Sequence, residues 1–174
     1  DKYFAQMRDV YEKYSSTSNS PMETLEDLKS LFPVHPATAN MATYYAREVG
    51  SSSRSVFEFL GDNKAIRQFL DNEEFFTQGQ MITADYLWDF VLEEFNKKTV
   101  KYGVVTERFN SYKLHVAKKG DEYLAVFKSI LLLNAFNNLA ANETVTPSEE
   151  NIRNMYVGTP FDKDMDTILD WINT

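Results

Sequence analysis

Histidines, an arginine and regularly spaced carboxylates are the residues of this sequence whose types could support chemistry. His35 lies in a proline-flanked segment, Arg54 follows three consecutive serines, and Asp85, Asp89 and Glu93 recur at i, i+4 and i+8. Carboxylates on one helix face could hold a metal ion, an imidazole could contact a ligand, and a guanidinium could bind phosphate through two hydrogen bonds. No G-x-x-x-x-G-K-[ST] motif occurs, so the chain does not cradle a triphosphate by itself in the usual way.

The composition limits the kinds of site that the chain can form. The 174 residues include no cysteine and two histidines, which excludes a disulfide framework and a thiolate zinc site. The longest apolar run, residues 130–133, is far shorter than the roughly 20 residues of a membrane-spanning helix. No leader with a basic start and an apolar stretch is visible. We therefore expect a cytoplasmic protein with no membrane partner.

The net charge of −8 is unevenly distributed along the chain. Residues 58–96 carry nine acids and two bases, whereas residues 97–128 carry eight bases and three acids. A basic segment that could contact a phosphate backbone comprises Lys97, Lys98, Lys101, Arg108, Lys113, Lys118 and Lys119, interleaved with Tyr102, Phe109 and Tyr112. We favour the interpretation that these bases complement the acidic runs on either side, and we expect no nucleic-acid partner because the overall field repels polyanions.

Hydrophobic spacing predicts helices along the whole chain. Apolar residues recur at helical intervals within 3–14, 36–49 and 83–95, and 121–141 is apolar on most faces, which is typical of a central buried helix. Two segments, Ser20-Pro21-Met22-Glu23 and Thr146-Pro147-Ser148-Glu149, have a capping residue, a proline at the first helical position and a glutamate three residues after the cap.

These patterns predict an all-α fold, a multi-helix bundle followed by a helix-turn-helix-like three-helix unit. No β-hairpin follows the last helix, so a winged-helix domain would be cut before its wing. We divide the chain into N-terminal helices at 1–31, a helical region at 32–98, and a second helical region at 99–174. Valines between 100 and 105 could form a short strand, but Phe109, Tyr112 and Val116 favour a helix, which we predict over 105–118.

Four segments of the chain resemble a known family. They are Phe32-Pro33-Val34-His35-Pro36-Ala37-Thr38, Arg54-Ser55-Val56-Phe57-Glu58-Phe59-Leu60, Ile82-Thr83-Ala84-Asp85-Tyr86-Leu87-Trp88-Asp89-Phe90, and residues 126–133. Their order and spacing are similar to those of large P-loop ATPases of the AAA+ type, including the ATPases of BREX-like phage-defence systems. The resemblance covers about residues 32–157. It departs from the family pattern at Ser52-Ser53, where an Asn-Glu pair is expected, and the P-loop core is absent.

The resemblance implies an AAA+ lid followed by the first helices of a winged-helix-like domain. It implies that Arg54, at the start of a lid helix, reaches the phosphates of a nucleotide held by an upstream P-loop core. His35 could touch the nucleotide or act at a hinge. ATP and Mg²⁺ would then be cofactors of the longer protein, and the chain alone would hold none.

Each of these residues also has a structural interpretation. Arg54 could pair with Glu48 or Glu58 at the surface, and we favour packing or helix capping for His35. The spaced carboxylates are typical of a solvated helix face, and His115 has no partner at ligand spacing. Helical spacing likewise favours core packing for the tyrosines and phenylalanines.

We expect the chain to have no catalytic activity alone and to be the lid, sensor and partial winged-helix part of a larger P-loop ATPase. The alternative is an independent helical module that binds a protein partner through aromatic faces near Tyr44, Tyr45, Trp88 or Trp171.

Overall fold

A computed structural model describes residues 4–5, 7–15, 25–48, 59, 61, 64–138 and 143–174. The predicted all-α fold is confirmed. The helices are α1 (Arg8–Ser15), α2 (Leu25–Ser30), α3 (Pro36–Glu48), α4 (Lys64–Leu70), α5 (Glu73–Thr77), α6 (Ala84–Lys97), α7 (Thr99–Lys119), α8 (Asp121–Asn137), α9 (Glu149–Asn154) and α10 (Met165–Ile172), with short 3-10 turns at Glu143–Val145 and Asp162–Asp164. The described residues form no β-strand longer than an isolated parallel bridge, which joins Val34 to Ile82.

Helices α6, α7 and α8 form the centre of the structure because their apolar stripes face one another. In α6, Leu87, Trp88, Val91 and Phe95 are fully buried at helical spacing. Helix α8 is buried on several sides and packs against both α6 and α7. The sequence prediction of a central helix at 121–141 is thus confirmed, with its end at Asn137.

The ambiguous region before residue 105 is helical, and the strand alternative is wrong. Helix α7 begins at Thr99, earlier than predicted, because Tyr102, Val105 and Phe109 form a helical stripe against α6 and α8. The Tyr102 ring stacks on Phe95 at 4.1 Å between centroids. Val100 and Val104 lie outside this stripe and are exposed.

The C-terminal helices pack on the same hydrophobic core as the central ones. Met165, Ile168 and Leu169 of α10 are buried together with core residues of α6 and α8. The division into three regions stays a prediction, although side chains from all three share this core in the described residues. Across the described ranges, no helix combines the length and apolar content needed to cross a bilayer.

The start of α9 differs from the predicted capping arrangement by two residues. Ser148, rather than Thr146, is the N-cap: its backbone is extended, and its side-chain oxygen accepts a hydrogen bond from the Asn151 amide at 3.2 Å. Asn151 is buried and donates from its side chain to the carbonyls of Glu143 and Thr146 at 2.7 and 2.8 Å. The 3-10 turn thus ends just before Thr146, and the helix begins two residues later than the sequence pattern places it. The other predicted capping site, at Ser20, lies outside the described residues.

Replacing the N-cap should destabilise the chain measurably. We expect Ser148→Ala to lower the free energy of unfolding by about 1 kcal/mol, because the backbone N–H of Asn151 loses its acceptor. Ser148→Asp keeps an acceptor at the same position and should remain within a few tenths of a kcal/mol of the parent. Urea denaturation followed by circular dichroism measures both values. Equal stability of the alanine and aspartate variants would contradict this assignment of the cap.

Candidate functional site

Arg54, the residue that the sequence places at a phosphate, lies outside the described residues. Its role therefore stays a prediction. The structure does describe helix α3, which precedes it in the chain and ends at Glu48. The contacts of α3 are therefore those of the described helix that precedes Arg54 in the chain.

His35 is the main fixed point at the start of α3. Its side chain is fully buried. The Nδ1 atom accepts a hydrogen bond from the backbone N–H of Ala37 at 3.2 Å, and Nε2–H donates to the carbonyl of Val157 at 3.0 Å. Because a carbonyl can only accept, these contacts define the neutral tautomer with the proton on Nε2. The imidazole thus caps α3 and ties it to a loop 122 residues away.

The backbone around His35 is joined to a third segment. The N–H of His35 donates to the carbonyl of Ile82, and the N–H of Ile82 donates to the carbonyl of Pro33, each at 3.0 Å. Ile82 lies just before Thr83, the N-cap of α6. The starts of α3 and α6 are therefore held together with the loop that contains Val157. We call this junction the His35 node.

Burial sets the charge state of His35. Removal of the imidazole from water lowers its pKa to about 4, and the hydrogen bond to Val157 opposes that shift only in part. The ring is therefore neutral at physiological pH, as both of its hydrogen bonds require. In this structure neither ring nitrogen is open to a further ligand, so the described contacts support the structural interpretation of His35. A contact between His35 and a nucleotide stays a prediction.

A buried polar network lies next to the node. The carboxylate of Asp85 accepts hydrogen bonds from the hydroxyls of Thr83 and Tyr156, the latter at 3.4 Å, and Tyr156 shares a hydrogen bond with Ser129 at 2.6 Å. Asp85 as a residue is partly exposed, but these bonds turn its carboxyl inward. Desolvation raises the pKa of Asp85, while the Thr83 hydroxyl and the charge of Lys128 act in the opposite direction. The position favours the protonated acid more than a surface position would.

The opening onto Asp85 is too small for a substrate. A cavity of about 70 Å³ is bordered by Thr83, Asp85, Tyr86, Thr159 and Phe161, among others. This volume is suited to one or two water molecules, whereas small-molecule pockets typically measure about 300–1,000 Å³. Asp85 therefore has the perturbed pKa of a functional carboxyl but not the room for a reaction. Its geometry fits a role in holding α6 against Tyr156.

The three spaced carboxylates of α6 do not form a metal site. Asp85 faces inward, Asp89 pairs with Lys128 at 2.8 Å, and Glu93 pairs with Lys97 at 2.9 Å. No group of three acidic, histidine or cysteine side chains that could hold a metal occurs among the described residues. The expectation of a solvated face is correct for Asp89 and wrong for Asp85. Tyr156, which donates a hydrogen bond to Asp85, and Ser129, which is bonded to Tyr156, are both distant from Asp85 in the sequence.

Most aromatic residues considered as a partner-binding surface belong to the core. Tyr44, Tyr45 and Trp88 are buried, and Tyr45 contacts Phe90 edge-on at 6.1 Å. Trp171 is partly exposed and stacks on His115 at 5.6 Å with an interplanar angle of 20°. The aromatic face proposed near the first three residues is thus wrong. His115, which the sequence indicates to be incidental, has a ring partner.

Comparison with known proteins assigns the chain to a family. The family described as DUF6079 second domain matches residues 1–146. The chain belongs to the DUF6079 second-domain family. No curated protein and no solved structure matches the chain.

The DUF6079 second-domain match includes the whole of α1 to α8 but ends before α9 and α10. Nevertheless, Tyr156 and Val157, which lie beyond the match, contact Asp85 and His35 within it. The resemblance to AAA+ lids is not part of this match and remains an interpretation.

The neutral state of His35 should make stability depend on pH. The folded pKa of about 4 lies below the ordinary value of 6.5, so the stability is fully present above 6.5 and is lost as the pH falls towards 4. The difference between those pKa values corresponds to about 3 kcal/mol at most. We expect urea midpoints to decrease over this interval.

The two histidines provide a matched comparison for that pH dependence. In His35→Asn the amide oxygen can still accept from Ala37, and the decrease between pH 6.5 and 4 should largely disappear, at a cost in stability at neutral pH. His115→Asn, at an exposed position, should keep the decrease. An unchanged pH profile in His35→Asn would show that other groups cause it.

Asp85 should make folding stability depend on pH in the opposite direction to His35. Because its pKa is raised in the folded state, the stability that it contributes is fully present below its unfolded pKa of about 4 and decreases as the pH rises through the folded pKa. Asp85→Asn, which keeps an oxygen acceptor, should therefore be more stable than the parent at pH 7, and the difference should shrink as the pH is lowered. Urea midpoints at several pH values measure it, with Asp170→Asn at an exposed position of α10 as the control. A less stable Asp85→Asn at pH 7 would show that the ionised carboxylate is preferred there.

Proposed function

We propose that the chain is a non-catalytic helical lid and sensor domain of a larger P-loop ATPase. In this proposal another part of the longer polypeptide binds ATP and Mg²⁺, and Arg54 contacts the γ-phosphate when the lid closes. A guanidinium suits this role because it stays charged and donates two parallel hydrogen bonds to phosphate oxygens. The downstream helices would then pass closure to other domains.

The observation that carries the proposal is the family assignment together with the fold. The matching family is described as a second domain, which supports a chain that works beside another domain. The all-α architecture and the four segments that resemble AAA+ lids agree with a lid. The absence of a P-loop motif in the sequence agrees with nucleotide binding elsewhere in the longer protein.

The His35 node supports a mechanical role for α3. The start of this helix is held by His35, Ala37 and the 82–83 segment, and Asn40 adds a buried hydrogen bond to Thr144 at 3.2 Å. A helix fixed so closely at one end moves with the body to which it is attached. In our proposal, a force on the Arg54 segment that follows α3 is therefore transmitted to α6 and to the Val157 loop.

The test is ATP turnover by the full-length protein. Arg54→Ala should reduce turnover at least about tenfold with an unchanged melting temperature, because a charge-assisted contact in the transition state is lost. Arg54→Lys keeps the charge but not the planar fork and should give an intermediate rate. Arg8→Ala removes an exposed arginine that pairs with Glu12 on α1 and should have no effect on turnover. Full turnover in Arg54→Ala would refute the sensor role.

A further inference from the structure

Helix α7 carries cations that no carboxylate of the described ranges neutralises. Lys97 and Lys98, just before α7, pair with Glu93 and Glu94 at 2.9 and 3.0 Å, so they agree with the interpretation that the bases complement neighbouring acids. For the rest of the basic segment the structure contradicts that interpretation. No described carboxylate forms an ion pair with Lys101, Arg108, Lys113, Lys118 or Lys119.

Aromatic rings take the place of anions for several of these cations. The ammonium of Lys119 lies 5.5 Å from the ring centre of Tyr123 and 5.9 Å from that of Trp171, and the ammonium of Lys113 lies 5.4 Å from Phe109. Such contacts stabilise a cation without cancelling its charge. Arg108 has neither a ring nor an acid as a partner in the described part of the chain. Its guanidinium is available to an anionic ligand.

Arg108 borders a cleft between α7 and α10. The cleft has a volume of about 450 Å³, within the range of about 300–1,000 Å³ that is typical of small-molecule sites. Its main lining residues are Arg108, Tyr112, His115, Val116, Phe127 and Trp171. Arg108, Tyr112 and His115 recur at i, i+4 and i+7, so one face of α7 presents a cation and two rings to the same space.

The lining selects for a flat ligand that carries an anion. Val116 and Phe127 are buried and make an apolar floor, while Tyr112 is 54% exposed and offers an open ring surface. The His115–Trp171 stack borders the cleft as well. An acidic peptide would satisfy Arg108 but would leave the aromatic surface without a matching planar group. A nucleotide unit satisfies both, since its base stacks on an aromatic ring while its phosphate meets a guanidinium.

We propose that this cleft binds a nucleotide unit, with the phosphate on Arg108 and the base against Tyr112. The unit comes from a free nucleotide or from a single strand, because the bases of a duplex are stacked inside the helix and are not open to Tyr112. The net charge of −8 does not prevent such contact, since screening limits its reach to about 8 Å at physiological salt. One or two neutralised phosphates predict a shallow salt dependence, with a slope of about −0.7 per phosphate.

The test measures binding of a fluorescein-labelled oligothymidylate to the 174-residue chain. Fluorescence anisotropy reports binding at low and at physiological salt, and AMP serves as a competitor. Arg108→Ala and Tyr112→Ala should each weaken binding about tenfold, as expected for loss of one phosphate contact or one stacked base. Both side chains are exposed, so neither substitution removes a core contact.

Two matched variants control for charge and for surface apolarity. Lys97→Ala removes one positive charge from the same basic segment, but Lys97 already pairs with Glu93. Leu114→Ala removes an exposed apolar side chain from α7 two residues beyond Tyr112, on a different face of the helix. Both variants should bind within twofold of the parent.

The results of this binding experiment distinguish a single strand from a free nucleotide as the ligand, and they show whether the proposal fails. Tight oligonucleotide binding that AMP does not displace supports a single strand, and displacement by AMP at equal nucleotide concentration supports a free nucleotide. The proposal is overturned if neither binds at low salt or if Arg108→Ala and Tyr112→Ala both bind like the parent. Loss of binding in Arg108→Ala alone, or equal competition by polyglutamate, would show attraction by charge without base stacking and would also overturn it.

Discussion

The neutral imidazole of His35 is the contact on which the arrangement of the described helices depends. It connects the first turn of α3 to the Val157 loop, and its own backbone pairs with the segment that begins α6. His35, Ala37 and Ile82 are buried and Val157 is partly buried. A buried carbonyl or amide without a partner costs about 1–3 kcal/mol. The imidazole can satisfy both of its neighbours in only one tautomer. Protonation would replace the acceptor at Nδ1 with a donor facing the Ala37 amide, so the node requires that the ring stay uncharged.

Local sequence patterns were sufficient to predict the elements but not their partners. Helical spacing alone predicts the all-α class, the start of α3 at Pro36, the start of α6 near Thr83 and the central position of α8. The preference of His35 for a structural role also follows locally, since prolines flank it. The identity of its hydrogen-bond acceptor cannot be predicted locally, because Val157 is 122 residues away and contributes only a backbone carbonyl. Because every residue has a backbone carbonyl, the type of residue at position 157 does not indicate that it accepts this hydrogen bond.

Asp85 illustrates the same limit for a side chain. Its spacing with Asp89 and Glu93 is that of a solvated face, yet one residue of this face turns inward. The reason is a tyrosine 71 residues later whose hydroxyl reaches the carboxyl. In the sequence, Tyr156 looks like an ordinary aromatic residue of the core. Its hydroxyl can form a hydrogen bond, but the sequence does not indicate which group that bond reaches. Similarly, the aromatics that suggested a docking face are buried because α6, α7 and α8 enclose them.

Helix α3, which carries the His35 node, and the α7–α10 cleft lie in different parts of the described structure, and the packing between them bears on whether they could communicate. Ring contacts run from Tyr45 of α3 through Phe136 and Phe95 to Trp88, and from there through Phe109 to Phe127, which lines the α7–α10 cleft. A contiguous row of rings makes coupling physically feasible, but contiguity alone does not produce it. Coupling needs an element with two arrangements of similar free energy, and the fully buried rings at the centre of this row are held from several sides. The least enclosed rings lie at the edge of the row, where the His115–Trp171 stack is partly exposed. A ligand that inserts beside that stack would therefore change α10 first, and it would affect α3 only if α10 shifts as a unit against α8.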